Sequence, residues 1–195
     1  DVEAKLSALK SAGYAVVQVS PPQLSNDSEA WWARYQPRDY RVIDGPLGNE
    51  TELRELIKAA HAEGMTVLID AVLNHMANSG DLHFPQFSPR DFHLPDTREC
   101  IRDYNDRYQV THLWLCSGPG DPGLPDLDTS STYVRSVHKA YLKKLVDLGA
   151  DGFRFDAARH IEPEFFADVL SSLPKSLYNY GEIISSSQPE VNLYQ

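Results

Sequence analysis

Cysteine is scarce: two occur in 195 residues, Cys100 and Cys116, 16 positions apart. They lack CxxC spacing, which argues against a thiolate metal or redox site. Either a disulfide stapling that stretch in an oxidising compartment or two unpaired thiols remains open. Positive charge is also short, with 18 Lys and Arg against 28 Asp and Glu, a formal net charge of −10 and no basic run. The attraction that draws proteins to nucleic acid or anionic membranes is therefore missing, and a neutral substrate is the easier partner. No apolar stretch approaches the roughly 20 residues that span a bilayer. What is present is 42% hydrophobic and 24% charged residues, the composition of a soluble globular chain able to bury a core.

Residues 2–12 carry apolar positions at helical spacing and stop at Gly13, and YAVVQVS (14–20) follows as a short β-branched block ending at Pro21-Pro22. The pattern recurs as TELRELIKAAHAEG (51–64) before MTVLIDAVLNH (65–75), and as STYVRSVHKAYLKKLVDLGA (131–150) before DGFRFDAARH (151–160). A shorter copy is PEFFADVLSSL (163–173) before SLYNYGEII (176–184). Helices alternating with continuously apolar strands predict parallel βαβ units with both sheet faces covered. Polar residues gather at the strand C-termini: Gln18 and Ser20, then Asp70, Asn74 and His75, then Arg154 and Asp156, then Glu182. That is where a (β/α)₈ barrel or an open α/β sheet keeps its active site. Two long segments, 23–49 with WWARYQP at its centre and 76–130, interrupt the rhythm and read as functional loops or a small subdomain.

In a strand, residues i and i+2 share a face, so Arg154 and Asp156 point one way while Phe153 and Phe155 pack the other way against helices. Alone, the charged pair could be a structural ion pair. Glu182, at the corresponding end of the next strand, adds a second carboxylate, and two carboxylates with an arginine beside one of them suit glycosidic bond cleavage. On this reading Arg154 lowers the pKa of Asp156, and the apolar surroundings of Glu182 in NYGEII raise that of the acid.

Several short stretches carry a resemblance: VQVSPP (17–22), DAVLNH (70–75), LPDLD (124–128), GFRFDAARH (152–160) and GEII (181–184). In this order and spacing the chain resembles the α-amylase family of glycoside hydrolases, family 13, and WWARYQP is similar to the animal-type and related bacterial members. The resemblance implies an α/β fold that is part of a (β/α)₈ TIM barrel, about strands 2–5, with a domain-B-like insertion after strand 3. Residues 1–75 and 131–195 would be barrel, and 76–130 a calcium-binding insertion.

Position by position, it implies Asp156 as nucleophile, Glu182 as general acid/base, Arg154 as the residue orienting the nucleophile, and His75 as a sugar ligand. Asp70 is implied to be a structural carboxylate outside the catalytic set. Tyr35 is implied to stack on the sugar at the cleaved bond, with Trp32 and Gln36 beside it; taken alone, such aromatics could equally plug a core. Arg159 and His160 are implied to meet substrate, Arg159 standing where Lys is commoner. Calcium is implied at Asn74, Asp126 and the His160 carbonyl, although Asn74 and Asp126 alone could be loop caps. Chloride beside Arg154 is a further possibility in animal-type members. His83, His93 and His112 read as solvated loop residues.

The implied function is retaining endo-hydrolysis of α-1,4 bonds in starch and malto-oligosaccharides by a secreted, monomeric parent enzyme, with no nucleic-acid or membrane partner. Alternatives are another family member acting on malto-oligosaccharides or transferring glycosyl groups, and a non-catalytic scaffold. The family's fourth motif, with its His-Asp pair and third carboxylate, has no counterpart before Gln195, so the chain is expected to be part of a longer enzyme and inactive and poorly soluble alone.

Overall fold

A computed structural model of the chain describes residues 2–195. Four strands form one parallel sheet: β1 (Val16–Val19), β2 (Thr66–Val72), β3 (Gly152–Asp156) and β4 (Tyr178–Gly181). Each strand pairs with the next in sequence, and the order never reverses. That is the winding of a barrel, whereas an open doubly wound sheet turns back at a switch point. Six α-helices accompany the strands among the described residues: α1 (Leu6–Ser11), α2 (Glu50–Ala62), α3 (Arg107–His112), α4 (Thr132–Leu148), α5 (Pro163–Leu170) and α6 (Gln188–Val191).

Strand alternation divides the sheet into two faces. Val67, Ile69 and Ala71 of β2 and Phe153 and Phe155 of β3 join one buried core with Ile57 of α2, Leu142 and Leu145 of α4 and Phe165 of α5. The opposite face brings Asp70 across from Arg154, Val72 across from Asp156, and Arg154 across from Tyr180. The expected separation of the phenylalanines from the charged pair is what the strand adopts.

The elements are shorter than the sequence patterns. β2 ends at Val72, so Asn74 and His75 stand on the chain leaving the strand. α5 ends at Leu170, ahead of two serines and Pro174, which cannot continue a helix. α2 begins with a capping box in which Asn49 accepts from Glu52 N–H and the Glu52 carboxylate accepts from Asn49 N–H. α4 ends at Gly149, whose φ of +112° favours glycine.

Loop 23–49 folds around a 3₁₀ turn, Trp31–Tyr35, and two short antiparallel ribbons. Arg34 is buried and donates to the carbonyls of Asn26 and Ser28, so a guanidinium serves as the loop's internal frame. Segment 76–130 carries α3 and is held by the Cys100–Cys116 disulfide, with Cα atoms 5.7 Å apart, which decides between the two cysteine readings. Isolated bridges His75–Asp126 and Phe92–Leu127 tie this segment back to the end of β2 and to itself.

Candidate active site

The charged residues at the ends of β2, β3 and β4 converge on one guanidinium. Arg154 Nη1 donates to both oxygens of Asp70 (2.8 and 2.9 Å) and to Asp156 Oδ1 (2.7 Å), and Nη2 lies 2.9 Å from Glu182 Oε1. Tyr35, carried in by the Trp31–Tyr35 turn, donates its hydroxyl to Asp70 Oδ2 at 2.8 Å. The sheet register produces this cluster, because Asp70 and Arg154 are partners across β2 and β3.

Glu182 also accepts the Ala157 N–H at 3.0 Å through Oε2. Ala157 sits in the left-handed region (φ +47°), where the chain turns sharply out of β3 and aims its N–H at the carboxylate. The desolvated setting expected for Glu182 is not what the fold provides. Its side chain is one-third exposed, with a cation and a backbone donor on its two oxygens. The expected lowering of Asp156 is also reversed: burial pushes its carboxyl up to about 6, with Arg154 opposing and the Glu182 charge adding to the rise. Asp70 is raised as well, burial outweighing Arg154 and Tyr35.

These groups open onto a cleft of about 810 Å³ walled by Trp31, Trp32, Tyr35, Gln36, His75 and Tyr104, with Arg154, Asp156, Glu182, Arg159 and His160 also in its lining. Trp31 is 79% exposed and meets Tyr35 edge-on, which answers against the core-plug reading of the aromatics. His75 is buried, with Nε2 2.9 Å from the Tyr35 carbonyl, and burial holds it neutral with a pKa of about 4. Arg159 lines the cleft, yet Nε, Nη1 and Nη2 donate to Glu190, the Ile184 carbonyl and the Tyr104 carbonyl, so the guanidinium clamps three segments together.

The candidate metal residues are divided. Asn74 Nδ2 donates to Asp126 Oδ1 at 3.0 Å, while Asn74 Oδ1 is buried without a partner. Asp126 is fully buried, and burial pushes its carboxyl up to about 7 against the pull of His93 and Asn74. His160 stands on the Ala158–His160 turn with its ring bonded to the Val110 carbonyl of α3. Among the described residues, no group of three or more His, Cys, Asp or Glu is disposed to hold a metal.

His93 corrects an expectation: Nδ1 lies 2.7 Å from Asp126 Oδ2 and only 17% of the side chain is exposed, so it is no solvated loop residue. His112 stacks on Tyr108 and His93, whereas His83 is exposed as expected. Tyr104, in the insertion, and Ile184, past the end of β4 at Gly181, also line the cleft, and nothing in their sequence surroundings marks them as cleft residues. Asp70, expected as a structural carboxylate, pairs with the same Arg154 guanidinium that holds Asp156 and Glu182.

Comparison with known proteins identifies the family. The family described as "Alpha amylase, catalytic domain" matches residues 2–195. An alpha-amylase of Aeromonas hydrophila is 38% identical over 95% of this chain and 46% of its own length. The pancreatic alpha-amylase of Sus scrofa is 36% identical over 85% of this chain and 35% of its own. The crystal structure of alpha-amylase I from Eisenia fetida superposes with a TM-score of 0.89 at 30% identity, covering all of this chain and 45% of that one; a point variant of that protein was solved with maltohexaose. The chain thus spans less than half the length of these relatives. With its four strands wound in barrel order and its motifs gathered at their C-terminal ends, the chain belongs to the alpha-amylase family, within the catalytic domain.

Proposed function

We propose that the protein is an endo-acting α-amylase that hydrolyses α-1,4-glucosidic bonds in starch and malto-oligosaccharides with retention. The observation that carries this reading is Arg154 joining Asp156 and Glu182 in an aromatic-walled cleft. A shared guanidinium keeps two carboxyl groups close, as a double displacement uses them. Asp156 attacks the anomeric carbon, and Glu182 donates a proton to the leaving oxygen and then accepts one from the incoming water. Arg154 orients Asp156, and Asp70 with Tyr35 fixes the Arg154 fork. The flat rings of Trp32 and Tyr35 suit the apolar faces of glucose, and on this reading Gln36, His75 and His160 bind hydroxyls beside the cleaved bond, while Arg159, its guanidinium engaged by protein, shapes the cleft wall instead of holding sugar.

Calcium is proposed at Asn74, Asp126 and the main-chain carbonyl of His160, in segment 76–130 and the turns around it. Two features support it: the buried acceptor Asn74 Oδ1 has no partner, and burial pushes Asp126 up to about 7 despite His93 and Asn74 beside it. A bound cation would keep Asp126 charged and join the insertion to the ends of β2 and β3. A chloride beside Arg154 would have to displace a carboxylate, because both of its terminal nitrogens already face Asp70, Asp156 or Glu182. The disulfide is of the kind that persists in secreted proteins, which supports an extracellular site of action.

The test is product stereochemistry with the full-length enzyme. Hydrolysis of starch should release α-anomers by NMR, and Asp156→Asn and Glu182→Gln should each remove nearly all turnover while starch binding persists. Release of β-anomers, or substantial activity in Asp156→Asn, would overturn the assignment.

A further inference from the structure

The cleft has one wall that no element of the proposed reaction uses. It is the loop Cys116–Gly123, which carries Ser117 and Asp121 into the cleft lining. The loop is unusually constrained for an exposed segment without helix or strand. Cys116 is bonded to Cys100, and the Leu124 N–H donates to the Leu115 carbonyl at 2.8 Å, closing the loop's base. Within it, the Asp121 carboxylate accepts the Ser117 N–H at 2.6 Å and the Gly123 N–H at 2.9 Å, and the Asp121 N–H donates to the Gly118 carbonyl at 3.1 Å. Pro119 and Pro122 remove further freedom. Gly123 has φ +80°, and a Cβ there would lie 2.6 Å from Cys116 Sγ, so the turn is packed directly onto the disulfide.

We infer that this disulfide-pinned loop is a specificity-determining wall, with Ser117 and Asp121 binding a glucose unit of the α-glucan beyond those at the cleaved bond. The inference rests on the amylase reading and deepens it. A carboxylate has about four lone-pair sites, and Asp121 uses two on backbone N–H groups of its own loop and a third on the Ser117 hydroxyl, leaving one acceptor for a sugar hydroxyl. The two backbone donors, Gly123 and Ser117 in that order, hold its carboxyl below the usual range, so the acceptor is charged at neutral pH. Charge-assisted hydrogen bonds are the stronger ones. Among the described residues, no hydrogen bond joins Ser117 or Asp121 to the Asp70, Arg154, Asp156 and Glu182 cluster. The wall is thus not wired into the Arg154 cluster by hydrogen bonds. Because the disulfide and the internal bonds already order the loop, little ordering entropy is lost when sugar docks against it.

The test compares a long and a short substrate with the full-length enzyme. The ratio of kcat/KM for maltoheptaose to that for maltotriose is measured in the native enzyme, in Ser117→Ala combined with Asp121→Asn, and in Cys100→Ser combined with Cys116→Ser. The ratio should fall about tenfold in both variants, because the short substrate does not reach the wall. An unchanged ratio in a folded Ser117/Asp121 variant overturns the inference and leaves the amylase reading intact, and this variant carries the test alone if the cysteine variant does not fold. If the native enzyme cleaves neither substrate, the amylase reading fails and calorimetric binding of maltoheptaose decides: weaker binding by the Ser117/Asp121 variant supports the wall, and equal or absent binding by both proteins overturns it.

Discussion

Arg154 carries one positive charge among three carboxylates, Asp70, Asp156 and Glu182. Such an excess of negative charge favours retention of a proton, and burial places it on Asp156, raised to about 6. In the proposed mechanism the attack needs Asp156 ionised, so the acid limb of kcat/KM for starch should fall near pH 6; a limb near pH 4 would contradict the burial effect. The same shift has a stability consequence. A carboxyl whose pKa is raised on folding binds its proton more tightly in the native state, so this contribution is fully present below about pH 4 and is lost as pH rises through 6. Asp156→Asn should therefore be more thermostable than the native protein at pH 7, by up to about 3 kcal/mol, with the gain fading towards pH 4 in thermal melts.

His138 is the opposite case. It is fully buried among Tyr40, Phe87 and Phe165, neither ring nitrogen has a partner, and burial depresses its pKa to about 3. A histidine neutral in the fold but protonated in the unfolded chain takes away stability as pH falls below about 6.5. His138→Leu should stabilise by about 1–2 kcal/mol at pH 7, the cost of an unpaired buried polar group, and by more at pH 5. No change in melting temperature at either pH would show that the imidazole is satisfied. Residue spacing placed Arg154 and Asp156 on one face, but it carried no sign of the Tyr35–Asp70 bond, which spans 35 positions.

At the scale of elements, helical spacing and continuously apolar runs were enough to place the four strands of the sheet and α1, α2, α4 and α5, with ends moved by a few residues, whereas the short α3 and α6 left no such pattern. The exact pairing of β3 with β4 depends on Gly152. A Cβ at that position would overlap the Tyr178 carbonyl oxygen of the neighbouring strand. Gly152→Ala should separate the two strands or displace them, costing about 3 kcal/mol or more, and should also lower activity because β4 leads directly into Glu182. Circular-dichroism melts and starch assays of the full-length enzyme check both; a native melting temperature would show that the strand absorbs the methyl group.

For the whole molecule, polar contacts between the insertion and the chain around the sheet include the His75–Asp126 bridge, the Asn74–Asp126 bond, the Arg107 bonds to the carbonyls of Arg159 and Ile161, the Arg159 bond to the Tyr104 carbonyl and the His160 bond to the Val110 carbonyl. A cation at Asp126 would reinforce the first of these. Chelation of the full-length enzyme should lower its melting temperature, and added calcium should restore it; Asp126→Asn should remove that response. A melting temperature indifferent to chelator would set calcium aside. The outer edges of β1 and β4 have no strand partner among the described residues, and Tyr178 and Tyr180 stand exposed on the polar face of β4.

The sequence by itself determined the alternation of helix and strand, the side of the sheet on which each motif stands, and the family, because these depend on local periodicity and on short contiguous stretches. Only the tertiary structure decided that the disulfide closes and that one guanidinium gathers three carboxylates. It alone also showed that Asp156 is the buried carboxyl while Glu182 remains partly in water, and that Arg159 is occupied by protein. Burial and hydrogen bonding depend on what distant segments bring to the same place, and no spacing along the chain records that.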